Sequence, residues 1–122
     1  MVDDLKCTSK KVVEESDTAK NVGSGTLSVF ATPMMVALME NSAMKAAEQL
    51  LSEGETTVGS ELNIRHIRPT AVGEEVEATA ILTQQEGRKL TFSVTASDKN
   101  GTIGEGTHIR YIVNIEKFMQ KL

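Results

Sequence analysis

The longest apolar segment of the chain, residues 33–51, has the pattern of a helix. Thr32 and Pro33 suit its start, because Thr is a common N-cap and Pro is favoured in the first turn. Apolar residues lie nearly all round the segment, which predicts a buried helix, and Gly54 is its expected C-cap. Glu40 stands near the middle. A carboxylate among apolar neighbours costs several kcal/mol when it is unpaired, so Glu40 needs a partner or a function.

Downstream of the helix, apolar and polar residues alternate with a period of two, which is typical of half-buried β-strands. Strands are predicted over 6–14, 57–67, 75–85, 89–98 and 102–118. EGR at 86–88 and DKNG at 98–101 indicate tight turns. In the strand that follows the helix, the alternation predicts one inward face that holds Val58, Ser60, Leu62, Ile64 and His66.

These elements predict one α+β domain over residues 1–122, in which a curved antiparallel sheet of about five strands wraps a long central helix. The segment 15–31 is predicted to be a loop with a short helical turn. Gly104 and Gly106 interrupt the last strand and indicate a bulge or a close approach of two backbones. Edge-to-edge pairing of two copies would remove exposed strand edges, so we expect a homodimer, or two such dimers together.

The last predicted strand also raises a question of orientation. In HIRY at 108–111 polar and apolar residues alternate, so only one of the two pairs can face the concave side of the sheet. We expect Ile109 and Tyr111 to face inward at one end of the strand. His108 and Arg110 would then face a partner subunit or the cleft.

Composition narrows the range of functions. The chain has a formal net charge of -4, 3% aromatic residues and no Trp. Base stacking and attraction to a phosphate backbone are therefore weak, which argues against a nucleic-acid partner. No window reaches the ~18 apolar residues of a membrane span and no signal peptide is evident, so we expect a cytoplasmic protein without a membrane partner. The single cysteine, Cys7, is expected to be a plain strand residue.

Three residues on elements expected to pack together could form an acid–base site. They are Thr32 at the mouth of the helix, Glu40 within it and His66 on the next strand. The carboxylate could orient the imidazole, which could take a proton from the hydroxyl or from water. Structural explanations stand beside this one: an N-cap, a surface or paired helix position, and a satisfied strand-end histidine. Gly59 is either a bulge position or a backbone N–H open to a substrate oxygen.

The chain resembles the hotdog-fold acyl-CoA thioesterases, and within them the fluoroacetyl-CoA thioesterase type. The motifs that carry the resemblance are SVFATPMMVALMENSA, VGSELNIRHIRPTAVGEEVEATAIL and GRKLTFSVTASDKNGTIGEGTHIRYIV. In that family a Thr before the central helix, a Glu two turns into it and a His on the next long strand form the active site. These roles fall on Thr32, Glu40 and His66, with matching spacings. The Gly that contacts the thioester falls on Gly59.

The resemblance implies hydrolysis of an acyl-CoA with a short or small acyl group. CoA is then part of the substrate, and we expect no cofactor and no metal. The nucleophile is open: Thr32 Oγ, a water activated by His66, or Glu40 through an anhydride. A non-catalytic acyl-CoA binding module is the alternative. A hotdog hydratase or dehydratase is disfavoured, because 29–51 contains no Asp and no His.

Substrate contacts are predicted on both sides of His66. Basic candidates for the CoA phosphates are Arg65, Arg68, Arg88 and Lys89, each of which could equally be a solvated surface charge. Phe30 and Gly59 are the candidates nearer the acyl group. The family's gating aromatic residues have no counterpart in the loop 21–28, which reads NVGSGTLS, and Phe30 is the only ring nearby.

Overall fold

The computed structural model describes residues 5–122, so the first four residues of the domain predicted over 1–122 lie outside the described part. Its strands are β1 (Lys6–Val12), β2 (Glu55–His66), β3 (Glu75–Glu86), β4 (Lys89–Asp98) and β5 (Gly101–Asn114). Its helices are α1 (Ala19–Val22), α2 (Thr32–Ala47) and α3 (Ile115–Met119), with 3₁₀ turns at Glu15–Asp17 and Glu48–Leu50.

The five strands form one antiparallel sheet in the order β1–β3–β4–β5–β2, so β1 and β2 are its two edges. Tight turns join β3 to β4 and β4 to β5 at the positions that the sequence predicts. The sheet packs its concave face against α2, which lies across it. The predicted α+β arrangement of about five strands around one long helix is therefore confirmed.

The core lies between α2 and the concave face of the sheet. From the helix it takes the fully buried Met35, Met39, Ala43, Ala46 and Ala47. From β3 and β4 it takes the side chains that the alternation predicts to face inward: Val76, Ala78, Ala80, Leu82, Leu90, Phe92, Val94 and Ala96. Small residues on both surfaces let helix and sheet pack closely. In the described part of the chain, no helix combines the length and the apolarity that crossing a membrane requires.

Two predictions about the ends of α2 are wrong. Ala31 rather than Thr32 is the N-cap residue, so the Thr32 hydroxyl is not used for capping. At the other end, α2 runs into the 3₁₀ turn, which Leu51 caps. Gly54 lies in the turn that follows, where its φ of 82° explains why a glycine stands there.

A bulge in β2 changes the facing of its first half. Gly59 and Glu61 lie opposite successive residues of β5, and Ser60 between them has no opposite residue in the strand register. One extra residue shifts the alternation by one position. Val58 therefore lies opposite the exposed Tyr111, and neither Val58 nor Ser60 is on the predicted inward face. The prediction holds for the second half of the strand, which the bulge does not disturb.

Both alternatives that the sequence left open for Gly104 and Gly106, a bulge and a close approach, occur. Ile103 beside Gly104 has no pairing partner in β4, which marks a bulge in β5. A Cβ on Gly106 would collide with the carbonyl oxygen of Asn63 on β2. A Cβ on Gly104 would lie 2.6 Å from the sulfur of Met35 on α2. Gly104 pairs with His66, so the missing side chain lets the start of α2 lie close to the end of β2.

A buried carboxylate ties the turn after β4 to the segment that follows β2. Asp98 accepts hydrogen bonds from Thr70 Oγ1 at 2.7 Å and from a turn N–H at 2.8 Å, and it pairs with Arg68 at 3.0 Å. Burial by itself would raise the pKa of Asp98, but these hydrogen bonds and the Arg68 charge hold it below the ordinary value. The segment next to His66 is thereby fixed in place.

We expect Asp98→Asn to destabilise the protein near neutral pH and much less in acid. A carboxyl whose pKa is lower in the folded than in the unfolded protein stabilises the fold above its ordinary pKa of 3.8, and this stabilisation is lost as the pH falls. Thermal unfolding of variant and parent at about pH 7 and about pH 3 measures the effect. Glu86→Gln, at an exposed hairpin position, is the control. An equal difference at both pH values would contradict the assignment.

Candidate active site

The start of α2 and the end of β2 bring two of the predicted site residues together. Thr32 Oγ1 and His66 Nδ1 lie 2.8 Å apart, which is a hydrogen bond. Thr32 is in the first turn of the helix, and His66 is the last residue of the strand, on its concave face. Because Ala31 is the N-cap, the Thr32 hydroxyl is available for this contact.

The surroundings of His66 favour a neutral imidazole. Burial lowers its pKa, and the nearby backbone of Arg68 opposes part of that shift. A neutral ring that accepts the Thr32 hydroxyl proton at Nδ1 carries its own proton on Nε2. Nε2 is buried and has no hydrogen-bond partner among residues 5–122. A buried donor without an acceptor is unfavourable, so a further polar group belongs next to this atom.

A cleft of about 300 Å³ opens beside this pair, between the segment before α2 and the segment after β2. Thr32, His66, Phe30 and Arg68 are among its walls. Phe30 is only 1% exposed, so its ring is part of the core as well as of the cleft. Residues 21–28 are exposed and carry no ring that could cover the opening. The cleft is at the small end of the range for ligand sites.

Glu40 lies in a second polar cluster, further along α2. A Cβ built on Gly59 would be 2.9 Å from the Glu40 Oε2 atom, so the carboxylate occupies the space that a side chain would fill. The same point is 3.1 Å from His108 Cε1 and 3.4 Å from Arg110 Nη1. Glycine at position 59 is what allows the carboxylate, the imidazole and the guanidinium to meet.

The two clusters are separate within one chain. Eight helical positions place Glu40 about 12 Å beyond Thr32 along α2. Seven strand positions place Gly59 about 23 Å from His66 along β2. Glu40 makes no hydrogen bond and no ion pair within the described residues. We call the first cluster the Thr32–His66 half-site, and the second, which consists of Glu40, Gly59, His108 and Arg110, the Glu40 half-site.

Hydrogen bonds hold the basic residues of the Glu40 half-site in place. Arg110 donates from Nε to Thr57 Oγ1 at 2.8 Å and from Nη2 to the Thr57 carbonyl at 3.0 Å. His108 Nδ1 lies 2.8 Å from the Glu61 carbonyl and therefore carries a proton, which leaves Nε2 to accept from Arg110 Nη1 at 3.2 Å. Burial lowers the pKa of both His108 and Arg110, and the charge of Glu40 opposes that shift.

Comparison with known proteins identifies the family. The family model described as fluoroacetyl-CoA-specific thioesterase matches residues 13–116. The chain belongs to this family. The fluoroacetyl-CoA thioesterase of Streptantibioticus cattleyicolor is 40% identical over 94 residues, which are 77% of this chain and 68% of that protein. The resemblance inferred from the three sequence motifs is confirmed.

Solved structures agree with this assignment. The structure of the fluoroacetyl-CoA thioesterase FlK superposes with a TM-score of 0.90 at 34% identity, covering 95% of this chain and 90% of that one. A thioesterase superfamily member from Thermus thermophilus matches with a TM-score of 0.88 at 28% identity, over 95% and 86% of the two chains. The fold of this fluoroacetyl-CoA-specific thioesterase family member is therefore the hotdog fold.

The prediction for the last strand was wrong in one half. His108 is 1% exposed and faces the concave side, whereas Tyr111 is 39% exposed and faces outward. The expectation that Ile109 and Tyr111 face inward is therefore wrong, because His108 and Arg110 face inward instead. Neither of these lines the cleft of about 300 Å³, so the expectation that they face the cleft or a partner subunit stays a prediction. The sequence contained a pattern that indicates the correct orientation. His108 and Arg110 lie at alternate positions with Ile112, so all three share one face of the strand, and Ile112 is buried. Together with Gly59, this pattern marks a polar patch on the inward face.

The two arginines that flank His66 have different environments. Arg65 is exposed and lies opposite Glu105 in the register of β2 and β5, on the outer face of the sheet and away from both half-sites. Arg68 lines the cleft, but its guanidinium pairs with Asp98 and donates to the carbonyl oxygens of the first two residues of β5. Their predicted contacts with CoA phosphates remain predictions, and the geometry is more favourable for Arg68 than for Arg65.

We expect Glu40→Gln to lower the pKa of His108 further, because the Glu40 charge raises it and the amide carries none. The chain has only two histidines, so NMR titration of the imidazole C–H signals can follow each ring separately. Glu48→Gln, at the end of the same helix, is the matched control and should leave the His108 titration unchanged. An unchanged pKa in the Glu40 variant would contradict the Glu40 half-site.

Proposed function

We propose that the protein hydrolyses acyl-CoA thioesters with small acyl groups, in an active site that two subunits build together. The observation that carries this proposal is the Thr32–His66 pair, with the buried and unpartnered Nε2 atom of His66 beside a cleft of about 300 Å³. Family membership supports the reaction, since the matching family model and the 40% identical relative are both described as fluoroacetyl-CoA thioesterases. Proton transfer in this reaction needs no metal and no cofactor.

The outer edge of β2 is where a second subunit would bind. β2 pairs with β5 on one side, and within the described residues no strand covers its other side. Long exposed edges are usually covered, and two copies can pair antiparallel across a twofold axis. An axis between Leu62 and Asn63 would set Gly59 opposite the partner's His66. Each Glu40 half-site would then face the Thr32–His66 half-site of the other subunit.

This arrangement gives each orphaned polar group a partner. The Nε2–H of His66 would donate to the partner's Glu40, while Nδ1 accepts the Thr32 hydroxyl proton. The carboxylate would orient the ring and stabilise its protonated form, as the acid of a catalytic triad does. It also explains why Glu40 and His66 do not meet within one chain, although both are predicted members of the site.

The hydrogen bond between Thr32 and His66 favours a route through the hydroxyl. Thr32 Oγ1 would attack the thioester carbon as its proton passes to His66 Nδ1, and the CoA thiolate would leave with that proton. A water activated at the same nitrogen would then release the acid. The N–H of Thr32 and that of the partner's Gly59 are candidate donors to the oxyanion, where one donor is typically worth ~3 kcal/mol. Two alternatives remain for the attack on the thioester carbon. One is a water that His66 activates, and the other is the Glu40 carboxylate, which would form an anhydride.

The acyl group is proposed to be small and not restricted to fluoroacetyl. The cleft is small, but the exposed segment 21–28 provides no aromatic cover for it. Phe30, the nearby ring, is held in the core and has no room to act as a mobile gate. We therefore infer that the kcat/KM values for acetyl, propionyl and fluoroacetyl thioesters are closer to one another here than in an enzyme with aromatic gating residues over the acyl pocket.

A hydrolysis panel tests the reaction. Acyl-CoAs from acetyl to long-chain, with fluoroacetyl included, are assayed by release of free thiol. We expect turnover of the shortest, and a loss of 10²-fold or more in kcat for Thr32→Ala, His66→Ala and Glu40→Gln, the range expected for removal of an acid–base group. Glu48→Gln is the control. Binding without turnover would favour a non-catalytic acyl-CoA module, and full activity of Glu40→Gln would refute the assignment of Glu40.

Mixing two inactive variants tests whether the site is shared. In a dimer of Glu40→Gln with His66→Ala, one of the two composite sites keeps an intact Thr32, His66 and Glu40. Random exchange of subunits should then restore about a quarter of the parent activity, because half of the dimers are mixed and each has one good site. A site contained within one subunit predicts no recovery at all. Size-exclusion chromatography with light scattering establishes that the mixed protein is dimeric.

A further inference from the structure

A second cleft, of about 280 Å³, lies at the far end of β5. Its floor is apolar and is formed by the buried Ile112 and the half-buried Phe118 of α3. Its rim is basic and carries Arg88, Lys117 and Lys121. The described residues contribute no acidic side chain to its lining, although the chain as a whole has a formal charge of -4. A local cluster of cations in an acidic protein suggests an anionic ligand.

Two of the three cations are available for a ligand. Arg88 is committed to Glu55 at 3.2 Å and to the Ile112 carbonyl at 3.2 Å. Lys117 and Lys121 form no ion pair with any residue from 5 to 122. The Lys121 amine lies 5.8 Å from the centroid of the Phe118 ring. Exposed ammonium groups beside an aromatic ring suit a phosphorylated nucleotide, since lysines contact phosphate and an aromatic ring stacks on a base.

The cleft lies further along β5 from the Glu40 half-site. Ile112, in the floor of the cleft, follows Arg110 by two positions on the same face of β5, so the two residues lie about 7 Å apart along the strand. Glu55, which anchors Arg88, lies four positions before Gly59 on β2, about 13 Å along the strand. A substrate whose thioester is held between the half-sites would need a flexible arm to reach the cleft. The pantetheine of CoA is such an arm, and it ends in phosphates and adenosine.

We propose that this cleft binds the phosphorylated adenosine end of CoA, with Lys117 and Lys121 on the phosphates and Phe118 against the adenine. The inference rests on the proposed acyl-CoA thioesterase function. The arginines next to His66 fit this role less well. Arg65 lies on the outer face of the sheet, and Arg68 is already bound to Asp98.

The test compares an acyl-CoA with the same acyl group on pantetheine, which lacks the nucleotide. The double variant Lys117→Glu/Lys121→Glu should lose about tenfold or more in kcat/KM for the acyl-CoA, mainly through KM, because two charge-assisted contacts become repulsive. Its kcat/KM for the acyl-pantetheine should stay at the parent value. Phe118→Leu should show the same selectivity with a smaller loss, since a leucine fills the space without offering an aromatic face.

The matched control is Lys6→Glu/Lys10→Glu on β1, at the opposite edge of the sheet. It changes the net charge equally, so a general electrostatic effect would appear in both double variants. Three outcomes would overturn the inference. In the first, kcat/KM of the Lys117→Glu/Lys121→Glu variant falls equally on both substrates. In the second, it falls equally in both double variants, and in the third, the parent has the same kcat/KM for acyl-CoA and acyl-pantetheine. Raised salt should narrow the difference between parent and variant on acyl-CoA.

A direct binding measurement separates this inference from the proposed function. Adenosine 3′,5′-bisphosphate is titrated into parent and variant proteins by calorimetry. Binding by the parent that is lost in Lys117→Glu/Lys121→Glu supports the cleft, even if neither thioester is hydrolysed. Absence of binding by the parent overturns it. Failure of the parent to hydrolyse either thioester speaks against the thioesterase function alone.

Discussion

The close approach of the start of α2 to Gly104 on β5, beside the end of β2, is the constraint on which the site depends. Met35 of the helix occupies the space that a side chain at Gly104 would fill, directly opposite His66. This contact sets the distance between the start of the helix and the end of β2, and it leaves Thr32 within 2.8 Å of His66. A larger residue at position 104 would push the helix away, because packed interiors have little room to adjust.

At the Glu40 half-site, too, a glycine on the sheet leaves space for a side chain of α2. Gly59 admits the Glu40 carboxylate between strand and helix, beside the charge of Arg110. The Glu40 side chain is half-buried, and the nearby guanidinium offsets part of the cost of removing its carboxylate from water. Thr57 and His108 in turn fix the guanidinium, so the charge on Arg110 has a defined position. Glu40, in the middle of an apolar helix, thus has a nearby positive charge within its own chain as well as a proposed role in catalysis.

In the proposed dimer, the separation of the half-sites would give association a role beyond covering a strand edge. Within the described residues, the buried His66 Nε2 atom has no hydrogen-bond partner and the half-buried Glu40 carboxylate accepts no hydrogen bond. Because antiparallel pairing across a twofold axis brings opposite ends of β2 together, each subunit can satisfy the other. The basic cleft by α3 would then lie at one end of this composite site, with the partner's Thr32–His66 half-site at the other.

Most of the architecture was predictable from the sequence, because local patterns determine it. Apolar residues all round 33–51 predict a buried helix, and strict alternation predicts β3 and β4 with their inward faces. The motifs around Thr32, Glu40 and His66 also predict the family, since residue types and spacings are properties of the chain itself. These inferences need no knowledge of which segments pack together.

Tertiary structure decided the rest. The bulge at Ser60 moved Val58 to the other face, because a period of two persists only while no extra residue enters the strand. Thr32 lost its predicted N-cap role to Ala31, since the hydroxyl has a better partner in His66. Whether Glu40 meets His66 depends on distances across the fold. The sequence by itself determined which groups are present, and only the packing of α2 on the sheet decided which of them one chain can bring together.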